Sequence, residues 1–588
     1  MLSGSLETAV ALRTELGRRL GGNANRVLLR ILAARNQEPV ELTGADIRDR
    51  GIALARQYSR APEGGVSLLL MPHSVELFLL HFGLILTGRL PAILAWPTNR
   101  IDPEKYQRNL LHQLRNLPAA ELLTLPKLAA NLGPGLPYRT VGAAIGGAEE
   151  FEKSFAVDLA IDEKPPAVEA GQSPGDAVFL QFSGGTTGAQ KCVVVTARML
   201  ERQMERLAEY LRFGPEDGVV SWLPLYHDMG LIACLWFPLW QGAQSMQFSA
   251  SDWLLEPDLL FRLGERYGAT HCWLPNFAFS YMAAQKERMR GPYTLGGMRA
   301  FVNCSEPVRL RSFGAFTDAF GEWGVRREQL QASYAMAENV FAVTQTPVDS
   351  APALYPRKAV RRETGNGTGN ENGDGHAFDL VEDVYVSSGR LLEGMELRIR
   401  TPDGKEAGEG VPGGIEIRTE SLFGGYWGND GFRTHALSAQ GWYSTGDFGF
   451  VSEGELYVIG RTKDIVIVGG QNVFPEDVET IVNAAPGIYP GRVVAFGVAD
   501  EEQGTESLAV VAELRGEWDE GAAKRSEREI KALVLSAIGI APRFVRVTPE
   551  RWIVKSTAGK ISRSETRARF LSERQRGNTS RTEVPVNG

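Results

Sequence analysis

Between residues 25 and about 345, short apolar or β-branched runs alternate with amphipathic stretches, and this alternation limits the fold more than any other feature. "VSLLLM" (66–71), "PAILAW" (91–96), "AVFLQF" (177–182), "GVVSWLP" (218–224) and "SMQFS" (245–249) read as strands. "SVELFLLHFGLILTG" (74–88), "ARMLERQMERLAEYLRF" (197–213) and "EPDLLFRLGERYG" (256–268) read as helices. Strands separated by helices pair mainly in parallel, so a largely parallel α/β sheet is expected. The most apolar region, residues 66–97, contains His73, Glu76 and His81. It reads as a buried strand, a helix and a second buried strand, not as a membrane span.

At 588 residues the chain is too long for one compact core. The Gly- and Asn-rich stretch 361–379 has no hydrophobic period and is expected to be a mobile loop or insertion. Beyond it, "LLEGMELRIR" (391–400) and "GGIEIRTESLFGGYW" (413–427) read as strands of a β-rich segment. "GELYVIGRTKDIVIVGG" (454–470) gives two strands around a polar turn. From about 461 a small α+β unit follows, with helices at 476–483 and 526–539 and strands at 492–498, 506–514 and 543–549. Residues 574–588 read as a disordered tail.

A net charge of -8 argues against a general nucleic-acid binder. Cys192, Cys234, Cys272 and Cys304 form no CxxC pair, so neither a zinc site nor a disulfide framework is expected, and a reducing cytosol fits. The N-terminal segment is amphipathic rather than a signal peptide, because Glu7, Arg13 and Glu15 interrupt its apolar residues.

The stretch "FLQFSGGTTGAQK" (179–191) leaves a predicted strand and turns into glycine and hydroxyl residues. Gly184, Gly185 and Gly188 allow close backbone approach. Successive N–H groups, the hydroxyls of Ser183, Thr186 and Thr187, and the charge of Lys191 suit a phosphate. The Walker pattern is not met. Taken alone, this stretch fits a phosphate cradle and a plain glycine-rich turn equally well.

The loop resembles the phosphate loop of the adenylate-forming superfamily. It departs from the usual form at Gly184 for Ser, Gln190 for Pro and Cys192 for Gly. The resemblance continues in order through "YHDMG" (226–230), "NCSEPV" (303–308), "SYAMAE" (333–338), "YSTGDFG" (443–449), "GRTKDIVIVGGQNVFPEDVE" (460–479) and "KSTAGKISR" (555–563). Within the superfamily the chain looks most like fatty acyl-AMP ligases and long-chain acyl-CoA ligases. The resemblance implies a large N-terminal domain of several subdomains (1–460) that binds ATP and the acid. It also implies a small mobile C-terminal domain (461–573).

The same resemblance assigns roles. The phosphates of ATP rest on 183–191, Ser305 and Glu306 lie around the adenine, and Tyr334 stacks on it. Asp447 and Arg461 hold the ribose, and Glu338 with Thr187 holds Mg2+. His227 is an aromatic gate between the nucleotide and an acyl pocket walled by Trp273, Asn276, Phe277 and Phe279. For that aromatic run core packing is the other reading, and the two are compatible on opposite faces of the helix. Lys463 is the hinge, and Lys560 bridges the attacking carboxylate and the α-phosphate, two anions that repel without a cation between them. The implied activity is activation of a hydrophobic acid as its adenylate, with pyrophosphate released. Transfer to a thiol follows: that of an acyl carrier protein, or of coenzyme A as the alternative. A non-catalytic nucleotide-binding relative is the third reading, which the departures in the loop allow.

Overall fold

The structure, a computed structural model, describes residues 2–33, 35, 37–96, 103–117, 120–129, 138–142, 176–183, 191–357, 384–428, 431–433, 437–469, 471–500, 505–555 and 561–582. Two large sheets carry the chain up to residue 461. The larger has thirteen described strands. Its parallel run places Val27–Ile31, Gln244–Gln247, Gly218–Ser221, His271–Leu274, Ala300–Cys304 and Leu330–Ala335 side by side in that order. The sheet then turns antiparallel through Ala342–Gln345, Arg390–Leu391, Glu455–Arg461, Tyr443–Ser452, Gly413–Thr419 and Met395–Arg400. The β-rich segment is thus the antiparallel half of the same sheet. This continuity sets the "SYAMAE" and "YSTGDFG" motifs in one layer.

In the second sheet Val66–Leu70, Leu90–Ile93 and Ala177–Ser183 run parallel, and Lys191–Thr196 returns antiparallel with Ser183 opposite Lys191. The helix Val75–Leu86 starts at Ser74, whose hydroxyl accepts the Leu77 N–H, and it is buried on every side except at Leu86. It therefore reads as almost uninterrupted apolar sequence. It crosses the helix Gly44–Tyr58 at close range, where a Cβ on Gly83 would stand 1.9 Å from the Gly51 carbonyl oxygen. The helix Ala197–Leu211 buries Met199, Leu200, Gln203, Met204, Leu207 and Leu211, a single face at helical spacing. Among the described residues no helix is long and apolar enough to cross a membrane.

After residue 461 a separate apolar cluster forms around Val466, Val478, Ile481, Val493, Val510 and Ile530. It lies on a three-stranded sheet of Ile488–Asp500, Thr505–Leu514 and Phe544–Thr548. The helix expected at 526–539 begins earlier, at Glu520, because Asp519 accepts the Ala522 N–H and caps it. A correction falls at the C-terminus. The helix Arg563–Thr582 carries through residues 574–582, where the sequence leads one to expect a disordered tail. Phe570 packs on Phe496 and Phe544, and the Arg574 guanidinium lies 4.1 Å from the Phe544 ring centre, which holds the helix down. Residues 583–588, and the stretch 361–379, lie outside the described residues.

The turn that joins the two regions is pinned by one arginine. Arg563 contacts Asp464 at 2.5 Å, Glu479 at 2.9 Å and Glu476 at 3.2 Å. Burial pushes the Glu479 carboxyl up from 4.5 to about 7, against the pull of Arg563. A carboxyl raised on folding binds its proton more tightly in the native state. Its contribution to stability is therefore present below about pH 4.5 and is lost as pH rises through about 7. The melting temperature should fall between pH 5 and 7.5, and fall less in Glu479→Gln. Thermal melts of both proteins across that range check this; identical pH slopes would refute it.

Candidate active site

Three of the motifs meet at one carboxylate. Asp447 and Arg461 are register partners on neighbouring antiparallel strands, and the Arg461 Nε lies 3.4 Å from the Asp447 Oδ1. Across the sheet, the Tyr334 hydroxyl donates to the Asp447 Oδ2 at 2.6 Å. Gly446, at φ +78°, makes the irregular step before Asp447, a backbone conformation that glycine adopts without strain. Burial pushes the Asp447 carboxyl above its ordinary range, while Arg461 and the Tyr334 hydroxyl pull it down. Burial likewise pushes the Tyr334 phenol well up.

Glu338 sits in the short 3-10 turn Ala337–Asn339, after the strand that carries Tyr334. The two are therefore not a surface pair one helical turn apart. The turn is fastened from two sides: the Phe423 N–H donates to the Glu338 carbonyl at 2.7 Å, and the Tyr426 hydroxyl donates to the Glu338 Oε1 at 2.6 Å. The Tyr443 hydroxyl lies 2.9 Å from that of Tyr426. Lys191 places its ammonium 4.6 Å from the centre of the Tyr426 ring. Lys191, Glu338 and the strand of Asp447 thus converge on Tyr426. Sequence reasoning missed this residue; "FGGYW" reads only as strand, although Tyr443 opens a recognised motif.

The "YHDMG" and "NCSEPV" motifs also come together. Gln181, on the strand leading to the glycine-rich loop, donates to the Tyr226 carbonyl at 3.1 Å, and the His227 ring lies beside Tyr226 at 4.9 Å between centres. The Ser305 hydroxyl is 3.9 Å from the Met229 sulfur, and Ser305 holds φ +71°. Glu306 accepts the Phe277 N–H at 3.0 Å, at the start of the helix Asn276–Ala284. It fastens that helix to the "NCSEPV" turn.

The four residues expected to wall an acyl pocket separate. Trp273 and Phe279 are sealed in the core, Trp273 edge-on to Phe237 and Phe279 against Phe313 and Phe316. Their side chains point inward, from a strand and from the inner helix face, and pack in the core. Asn276 accepts from the Asn303 amide at 2.9 Å and the Arg309 N–H at 3.1 Å, a bracing role. Phe277 is 48% exposed, on the outer face of its helix, beside the stacked Trp222 and Trp253 rings 4.0 Å apart.

Lys463 lies in the turn Thr462–Asp464. Desolvation lowers its ammonium pKa; Asp464 opposes this, and the like charges of Arg461 and Lys191 add to it. Gly184, Gly185, Thr186, Thr187, Gly188 and Lys560 lie outside the described residues, as does the Ser183 side chain. The strands flanking 184–190 place that connection between Ser183 and Lys191. A bridge between Lys555 and Ile561 closes the ends around 556–560.

The chain is similar to known proteins over nearly its full length. A protein of Mycobacterium tuberculosis named as a ligase is 30% identical over 69% of this chain and 74% of its own. A long-chain-fatty-acid–AMP ligase of Mycolicibacterium smegmatis is 27% identical over 91% of this chain and 90% of its own. The fold matches a solved fatty acyl-adenylate ligase from work on the Escherichia coli and Legionella pneumophila enzymes. Its TM-score is 0.78 at 22% identity, covering 95% of this chain and 98% of that one. Residues 61–427 match the family described as AMP-binding enzyme, and the chain belongs to that family.

Proposed function

We propose that the protein is a cytoplasmic ligase that activates a hydrophobic, fatty carboxylic acid with ATP and passes the acyl group to the thiol of an acyl carrier protein. The observation that carries this reading is the meeting of Tyr334, Asp447 and Arg461 from three separate motifs, beside Glu338 and Lys191. In this reading residues 1–460 bind ATP and the acid, and residues 461–573 deliver Lys560.

The chemistry follows from the charges. Asp447 accepts the ribose hydroxyls, and Arg461 keeps its charge in place. Tyr334 and the Ser305 turn flank the adenine. Residues 183–191 hold the phosphates through N–H groups and Lys191. The carboxylate oxygen of Glu338 is a hard donor of the kind Mg2+ takes, and bound Mg2+ would supply neutralising charge on the phosphates. Among the described residues no cluster of three or more His, Cys, Asp or Glu side chains is arranged for a metal. The acid oxygen attacks the α-phosphorus in line, the bond to pyrophosphate breaks, and pyrophosphate leaves with its electron pair. Lys560 steadies both anions during that step. Rotation about Lys463 then withdraws Lys560, and a thiolate attacks the acyl carbon with AMP as the leaving group.

The fatty acid class rests on the fatty-acid–AMP ligase likeness and on the half-exposed Phe277 ring, which packs against the buried Trp222 and Trp253 rings. Coenzyme A is the second acceptor to weigh. A Caulobacter vibrioides protein named as an acyl-CoA synthetase is 29% identical over 90% of both chains. Pyrophosphate release with ATP and a panel of acids tests the enzyme reading. Supplying a carrier protein and coenzyme A in separate reactions tests the acceptor: acyl-carrier product without acyl-CoA supports the proposal, and acyl-CoA alone overturns it.

A further inference from the structure

We propose that Tyr426 is a positioning residue that fixes the Glu338 carboxylate for the metal–nucleotide complex and ties it to the phosphate-binding lysine and the ribose-binding strand. The inference rests on the adenylate-forming reading above.

Tyr426 lies on the strand Tyr426–Gly428, which pairs antiparallel with Lys191–Thr196, so that Tyr426 faces Val193 and Trp427 faces Cys192. The pairing carries the phenol across the sheet edge to the exit of the glycine-rich loop. The hydroxyl has one hydrogen, and it goes to the Glu338 Oε1 at 2.6 Å. The oxygen keeps two lone pairs. The Tyr443 hydroxyl at 2.9 Å and the Lys191 ammonium at 3.5 Å are the donors placed to use them. Each neighbour belongs to a different part of the site. Lys191 ends the phosphate loop, Glu338 is the carboxylate assigned to Mg2+, and Tyr443 begins the strand that bears Asp447. Phe423 packs edge-on against both tyrosine rings, at 4.7 Å and 5.2 Å, and donates its N–H to the Glu338 carbonyl. Neither ring can swing away without opening that contact.

A carboxylate with one oxygen fixed by a short charge-assisted hydrogen bond presents the other in one direction. Oε2 would then be the oxygen left to hold the cation. Without the Tyr426 hydroxyl the carboxylate samples several rotamers, and ordering it falls to the incoming metal. The effect therefore belongs to the metal complex of ATP and not to ATP itself.

Tyr426→Phe removes the hydroxyl and keeps the ring under Lys191. Binding of Mn2+–ATP, followed by the loss of the free-manganese electron paramagnetic signal, should weaken about tenfold. Binding of ATP in the presence of EDTA, followed by calorimetry, should change less than about twofold. The magnesium concentration for half-maximal ATP–pyrophosphate exchange should rise by a similar factor of about ten, with a smaller change in kcat. Tyr443→Phe leaves the Tyr426–Glu338 bond in place and should move the same metal readout by about threefold. It serves as the test if the first variant does not fold. Equal weakening of ATP with and without metal would make Tyr426 a general packing residue and overturn the proposal, as would unchanged Mn2+–ATP affinity. Wild-type protein that binds Mn2+–ATP but releases no pyrophosphate with any acid would sink the ligase reading and leave this one standing. Wild-type protein that binds no Mn2+–ATP would sink both.

Discussion

Lys560→Ala is expected to slow acyl-adenylate formation by about a thousandfold, the loss typical of removing one preorganised charge from a developing anionic centre. The attacking carboxylate and the α-phosphate are both anions, and their repulsion is greatest as the new bond forms. A cation between them stabilises the transition state more than either ground state, so the loss should appear in the rate and much less in ATP affinity. The surrounding structure suits a residue delivered from a fixed base. Ile553 donates its N–H to the buried Glu513 carboxylate at 2.8 Å, and the Ser562 N–H donates to the Val554 carbonyl at 2.8 Å. Both ends of the 556–560 stretch are thereby tied to the C-terminal core. Single-turnover quenching gives the adenylation rate. Thiol transfer from a supplied acyl-adenylate should change less than about threefold, since in the proposed reaction Lys560 withdraws before that step. Comparable losses in the two half-reactions would remove Lys560 from the role given to it.

Where one side chain decides its own local structure, the sequence was readable. The helix Ala197–Leu211 announces itself by a hydrophobic face at helical spacing, and Val66–Leu70 by an unbroken apolar run flanked by turn residues. The motifs placed Asp447, Arg461, Tyr334 and Glu338 within one neighbourhood, and the structure brings these four together. The rest depends on pairings distant in sequence. Tyr426 meets Glu338 only because its strand docks beside Lys191–Thr196, a register that no local pattern announces. The aromatic run that holds Trp273 and Phe279 does not disclose which way each ring points. One lies on a strand and the other on the inner face of the next helix, and both end in the core. The helix past residue 573 was missed because its sequence is polar. What holds it is the packing of Phe570 and Arg574 on rings supplied by other elements.

Asp447→Asn should lower kcat/KM for ATP by about a hundredfold, close behind Lys560, and should leave the fold intact. Asparagine keeps the shape and one acceptor oxygen. It loses the charge that would strengthen bonds from both ribose hydroxyls, each such bond contributing roughly 1.5–3 kcal/mol. The native protein already opposes this charge: burial pushes the carboxyl above its ordinary range, with Arg461 and the Tyr334 hydroxyl offsetting only part of the shift. A neutral side chain removes that desolvation cost, and the melting temperature should stay within a few degrees of wild type. The substrate supplies the second half of a double-change cycle. With 2′-deoxy-ATP or 3′-deoxy-ATP the wild-type protein should lose about tenfold for each missing hydroxyl. Asp447→Asn should discriminate among the three nucleotides by less than about threefold, because the partner of those hydroxyls has already been weakened. Full discrimination in the variant would place the ribose against other groups, and Asp447 would then be a brace between Tyr334 and Arg461 within the sheet.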